Sequence, residues 1–239
     1  MAMEDSSFGR LIGVLVSPVK TFRSIAERPT WVAALVILGL LGAGLGVLIN
    51  TRTDQREMIQ KQMKKWGQNM TEEQLDEAVE RAEHPRPIMR AISLAVGLIG
   101  QAIAYLLPAF LYWLIFKLAG SELAFKSSLS AYLHAAMPIG VATLLMIPVI
   151  LSRATVQPLD ALTGDLLASS PAFLLPEGTG VAVKAALAAF DLFNLWSVVL
   201  AVIGYRIVAR VSTPVAAGAA IFLFLVGMAF RVGFAALLG

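Results

Sequence analysis

Hydrophobic positions along the chain gather into five blocks, 31–49, 91–116, 129–151, 185–205 and 214–238, separated by polar segments. All but two of the 35 Lys, Arg, Asp and Glu residues lie outside these blocks, the exceptions being Asp191 and Arg231. A hydrocarbon core about 30 Å thick needs about 20 helical residues, and without water the backbone must satisfy its own polar groups, which makes the helix the natural spanning form. The pattern predicts an all-α, polytopic membrane protein built as a bundle of five transmembrane helices.

The segment ahead of the first block is patterned differently. Ser17 suits an N-cap, Pro18 suits the first helical position, and Val19, Phe22, Ile25 and Ala26 follow at helical spacing. Upstream, Phe8, Leu11, Ile12 and Leu15 extend a similar pattern around Arg10. Lys20, Arg23 and Arg28 take other positions, and Pro29 breaks the helix before Trp31 anchors the first span. Residues 1–30 therefore read as an N-terminal amphipathic interfacial segment with basic groups toward anionic lipid, ahead of a five-helix domain over 31–239. A short lead-in helix packed on the bundle fits the same spacing. A cleaved signal peptide does not fit, because thirty residues, including Glu4, Asp5 and Glu27, precede the first block.

Two longer loops separate the blocks. Residues 51–90 carry eight basic and eight acidic residues. Within them Thr71 and Gln74 form a capping-box pattern for a helix bearing Leu75, Ala78, Val79 and Ala82, ended by HPRP at 84–87. Met58, Ile59, Met63 and Trp66 predict a second amphipathic helix before it. Their apolar stripes suit either a partner or the membrane face of the bundle. The loop at 152–184 contains SSPAFLLPEGTG, a proline-punctuated turn region placed at the interface.

Ionisable residues inside spans are costly and carry information. Asp191 precedes the turn near Arg210 by 19 residues and Arg231 follows it by 21. In an antiparallel hairpin that places the two charges within about 3 Å of equal depth, so they are expected to pair. Asn194 and Lys184 share the Asp191 face; Gln101 and Tyr105 lie one turn apart on the second span, and His134 lies early in the third. Such a set marks either a polar pathway or interhelical hydrogen bonding that fixes the packing. Gly39, Gly42 and Gly46 offer small-residue contacts, and Pro108, Pro138 and Pro148 predict kinks.

Composition narrows the chemistry. The chain is 58% hydrophobic and 15% charged, has no cysteine and carries a formal charge of +3, too small to argue for nucleic acid. No HExxH, P-loop or GxSxG is present, and His84 and His134 are the only histidines, so neither an enzyme nor a metal or cofactor site is expected. Transport by the intramembrane polar groups is the alternative, against which no pair of broken helices is expected from the sequence. Membrane lipids, a membrane-protein partner or a second copy of the chain are the expected contacts. The N-terminal tail with 117–128 and 206–213 carries eight Lys or Arg in 50 residues, against ten in 73 for 51–90 with 152–184, which leans toward a cytoplasmic N-terminus.

SPVKTFRSIAERPTW at residues 17–31 resembles the N-terminal signature of bacterial members of the Yip family, five-span membrane proteins named for interaction with Rab GTPases. KLAGSELAFKSSLSAYLHAAMP at 117–138 resembles that family's second-to-third-span connection, and LLPEGTG followed by DLFNLWSVVLAVIGYR at 191–206 its fourth span. The loop at 51–90 is similar only in its hydrophilic, helical character. The resemblance implies a five-span scaffold with the N-terminus in the cytoplasm and the C-terminus across the membrane, in a bacterium the inner membrane. Among eukaryotic relatives it implies work in vesicle trafficking, with partners that a bacterial relative would lack.

Overall fold

A computed structural model describes residues 6–65 and 70–238. Among the described residues every regular element is a helix, with no strand. Serine and proline divide the N-terminal segment in two. Ser6 caps α1 (Ser7–Val16) by accepting from Gly9 N at 3.0 Å, and Pro18 opens α2 (Pro18–Glu27), with no cap bond from the Ser17 side chain. Both helices pack on the bundle: Leu11, Val14, Phe22 and Ile25 are buried in the same core as the spans. Lys20, Arg23 and Arg28 stay exposed.

The first, second and fifth spans are continuous: α3 (Val32–Arg52), α6 (Pro87–Leu118) and α12 (Thr213–Leu238). Two further helices, α4 (Gln55–Lys65) and α5 (Glu72–Glu83), lie between α3 and α6. The third span consists of α7 (Phe125–Ala135) and α8 (Met137–Ser152), interrupted at Ala136 because Pro138 enters the first turn of α8 without an N–H. Pro108 and Pro148, by contrast, sit inside α6 and α8. After the short helix α9 (Pro158–Thr163) comes the fourth span, α10 (Val181–Ala188) and α11 (Leu192–Val208), bent by 46° at its break. Counting this bent pair as one crossing gives five spans. No pair of broken helices was expected, and one span is broken. Ala189, Phe190 and Asp191 leave the helix because the Asp191 carboxylate caps a new helical start instead of riding mid-span.

In the 51–90 loop, α4 (Gln55–Lys65) and α5 (Glu72–Glu83) pack on each other. The expected capping box is formed, with Thr71 Oγ1 accepting from Gln74 N at 3.3 Å and Gln74 Oε1 from Thr71 N at 3.1 Å. His84 ends α5. The hairpin buries Leu75 and is tied by Arg56, which pairs with Glu72 at 3.2 Å and with Asp76. The two amphipathic helices pack on each other, and Gln157 Nε2 from the 152–184 loop donates to Glu57 Oε2 of α4 at 3.1 Å. Trp66 lies outside the described residues.

The core is centred where α6, α7 and α11 meet. Tyr112 and Tyr205 stack with centroids 4.2 Å apart, and Ser128 Oγ donates to Ala109 O at 2.7 Å and lies 3.0 Å from Tyr205 Oη. Buried hydroxyls satisfied in this way fix the helix register at small cost. Phe22 of α2 reaches the same core over Gly204, where an added Cβ would stand 2.7 Å from its ring.

Candidate functional site

The polar centre of the bundle is built from three chain interruptions. Gly164, in the left-handed region at φ +80, ends α9; a Cβ there would stand 3.0 Å from Ser170 Oγ and 3.1 Å from Ala188 Cβ, so conformation and space both require glycine. The exposed end of α9 presents carbonyls without helical partners. Arg231 of α12 supplies the donors, Nε to Leu162 O at 2.8 Å and Nη2 to Ala161 O at 3.0 Å. A guanidinium at a helix C-terminus is electrostatically favoured as well as hydrogen-bonded.

Asp191 is held by a different set. Its Oδ1 accepts from Phe193 N at 2.8 Å and Asn194 N at 3.1 Å, its Oδ2 accepts from Ser169 Oγ, and Ser169 O in turn accepts from Leu192 N at 3.0 Å. Asn194 Nδ2 donates to Ala189 O at 3.3 Å, closing the break. The ion pair expected between Asp191 and Arg231 is not formed among the described residues. Equal depth brought them to one neighbourhood, but freed backbone N–H groups claim the carboxylate and the α9 carbonyls claim the guanidinium. Lys184 pairs with Asp165 at 3.7 Å instead of joining Asp191.

Two cavities flank this centre. The larger, about 410 Å³, has Pro108, Tyr132, Ser197, Leu223, Gly227 and Arg231 in its walls. The smaller, about 190 Å³, is bounded by Thr143, Asp160, Ser170, Asp191, Asn194 and Arg231. Ile139, Asn194 and Arg231 belong to both, forming the partition. Ala136 and Ala189, at the breaks of the third and fourth spans, both face the larger cavity. Ser197 Oγ and Ser170 Oγ are buried without a hydrogen-bond partner, one in each cavity.

The other sequence candidates lie elsewhere. Gln101 is half-buried beside Gly42 of α3, and Tyr105 is buried; neither lines these two cavities. His134 is enclosed in the core, with Nδ1 2.8 Å from Ser130 O and Nε2 unpartnered. It belongs to a seam under the N-terminal helices, where Ser130 Oγ donates to Thr30 O at 2.8 Å. In that seam the buried Arg10 donates through Nη1 to Arg28 O at 2.7 Å and Thr30 Oγ1 at 3.1 Å. Tyr132 and Ser170 carry no sequence signal of a site. Ser197 does carry one, since it continues the Asp191, Asn194 spacing of three along α11.

Residues 12–234, which take in both cavities and all of the spans but the last four residues of the fifth, match the Yip1 domain. The chain belongs to the Yip1 family. It is 28% identical over 215 residues to the membrane protein YknW of Bacillus subtilis (strain 168), covering 90% of this chain and 84% of that protein. The bacterial-type Yip resemblance of the 17–31 and 117–138 segments therefore holds. No solved structure matches the chain. In this Yip1 domain the 17–31 and 117–138 stretches serve packing. Phe22 of the first fills the hollow at Gly204, and Ser128 of the second bonds to Ala109 and Tyr205.

Proposed function

We propose that this Yip1 protein is a non-enzymatic membrane scaffold or adaptor. The bundle holds the α1–α2 hairpin at one membrane face and the α4–α5 hairpin at the other for interaction with lipids or a membrane-protein partner. The supporting observation is the two-sided build of α2. Phe22 and Ile25 are fully buried in the bundle core, while Lys20, Arg23 and Arg28 project outward beside the exposed Phe8, Ile12, Val16 and Val19. A basic, apolar-edged surface fixed to rigid spans suits recognition at a membrane interface. With the N-terminus in the cytoplasm, as the Lys and Arg distribution favours, this surface faces the anionic leaflet of the inner membrane. The same face suits a second copy of the chain; nothing in it favours nucleic acid.

The test is photocrosslinking from positions 8 and 16 in native membranes, followed by affinity recovery of the intact protein. Recovery of one defined protein or lipid adduct, lost on Arg23→Glu, supports the reading; adducts unchanged by that substitution refute it. Transport is the second reading, favoured by the break of the fourth span and the interruption of the third at Ala136 both facing one cavity. Solute flux into proteoliposomes that is abolished by Asp191→Asn would establish it in place of the scaffold.

A further inference from the structure

The scaffold reading leaves the larger cavity without a role. Its walls are mostly apolar, from Pro108, Ile139, Val198, Leu223, Phe224 and Met228. About 410 Å³ lies within the range of clefts that take a small molecule, and exposed Gly227 marks its open side. Its lining runs along α12 from Ala220 to Arg231, eleven residues or about 16 Å at the helical rise.

Five polar residues interrupt this wall, Tyr112, Tyr132, Asn194, Ser197 and Arg231, of which only Arg231 is a donor alone. Ser197 Oγ is buried and unpartnered, the Tyr112 and Tyr132 side chains reach the cavity, and Arg231 is its one charged residue. Nε and Nη2 of Arg231 are committed to Leu162 and Ala161, which leaves Nη1 for a further acceptor. Asp191 belongs to the smaller cavity, its oxygens engaged by Ser169, Phe193 and Asn194. An occupant complementary to this lining carries an oxygen acceptor at one end and a hydrocarbon body along the rest.

We propose that the larger cavity binds one single-chain amphiphile with an oxyanion head group. The head is held by Arg231 and Ser197, and the chain lies between α6 and α12 toward Ala220. Charge-assisted hydrogen bonds from a guanidinium and a buried hydroxyl set the preference for the anion, and burial of the chain supplies most of the affinity. The proposal is independent of the hairpin surface, because its readout needs no partner protein.

The experiment is native mass spectrometry and thermal unfolding of the full chain in nanodiscs of zwitterionic lipid, with three probes: oleate, oleyl alcohol and inorganic phosphate. Oleate is expected to bind once per chain and raise the unfolding temperature. Oleyl alcohol, with the same chain and no charge, should bind about tenfold or more weakly, and phosphate alone should do nothing. Gly227 is exposed at the mouth of the cavity, where an added Cβ meets no atom within 4 Å, so Gly227→Leu should obstruct the entrance and weaken oleate binding while the helix stays intact. Ser197→Ala removes the unpartnered hydroxyl without added bulk and should weaken oleate severalfold. Equal binding of oleate and oleyl alcohol, a response to phosphate alone, or undiminished oleate binding in both variants would each overturn the proposal.

Discussion

Arg231 and Leu162, 69 positions apart in sequence, are joined by a 2.8 Å hydrogen bond from the guanidinium Nε to the last-turn carbonyl of α9. That bond moors the loop between the third and fourth spans to the fifth span. It also explains how an arginine is tolerated deep in an apolar helix: its partners are backbone carbonyls that a membrane would otherwise leave unsatisfied.

Replacing Arg231 by Met removes both bonds at once. The loss is expected to be about 2–4 kcal/mol, the sum of two hydrogen bonds to a charged group less some relaxation. Limited proteolysis should then cut first within 158–174, ahead of any other loop, while Arg231→Lys retains part of the protection.

Asp191 acts as a helix cap, so charge and capping are separable. Asp191→Asn keeps an oxygen for Phe193 N and Asn194 N and should change stability little; Asp191→Ala should cost about 0.5–2 kcal/mol. Were Asp191 instead held chiefly by an ion pair, Asn and Ala would be equally damaging in a thermal unfolding series.

Two glycines should respond oppositely to alanine. At Gly204 the new methyl meets the ring of fully buried Phe22 at 2.7 Å, and overpacking of this kind costs about 1–3 kcal/mol. At Gly42 it meets only the amide end of half-buried Gln101, at 2.5 Å, which can swing away. Unfolding temperatures should fall clearly for Gly204→Ala and hardly at all for Gly42→Ala, and Phe22→Leu should rescue the former.

The absence of cysteine makes topology directly measurable. Five crossings place position 122 on the side opposite positions 77 and 177, all three exposed. Single cysteines introduced there should be labelled by an impermeant maleimide from opposite faces of sealed vesicles. Labelling of all three from one face would contradict the five-span fold.

Solvation alone made the architecture legible from the sequence. Blocks of apolar residues such as 31–49 and 214–238 must be helical in lipid whatever their neighbours do, and local cap chemistry at Thr71 and Gln74 needs no tertiary context. Where the sequence placed Asp191 and Arg231 at one depth, it placed them correctly in one neighbourhood, because helical rise is a property of the chain itself. What each charge bonds to was decided by tertiary structure. The break at 189–191, the turn at Gly164 and the return of α9 toward α12 bring competing backbone donors and acceptors to both side chains. The cavities have the same origin, since residues from several separate helices must converge before a hollow exists, and no spacing along a single helix encodes that convergence.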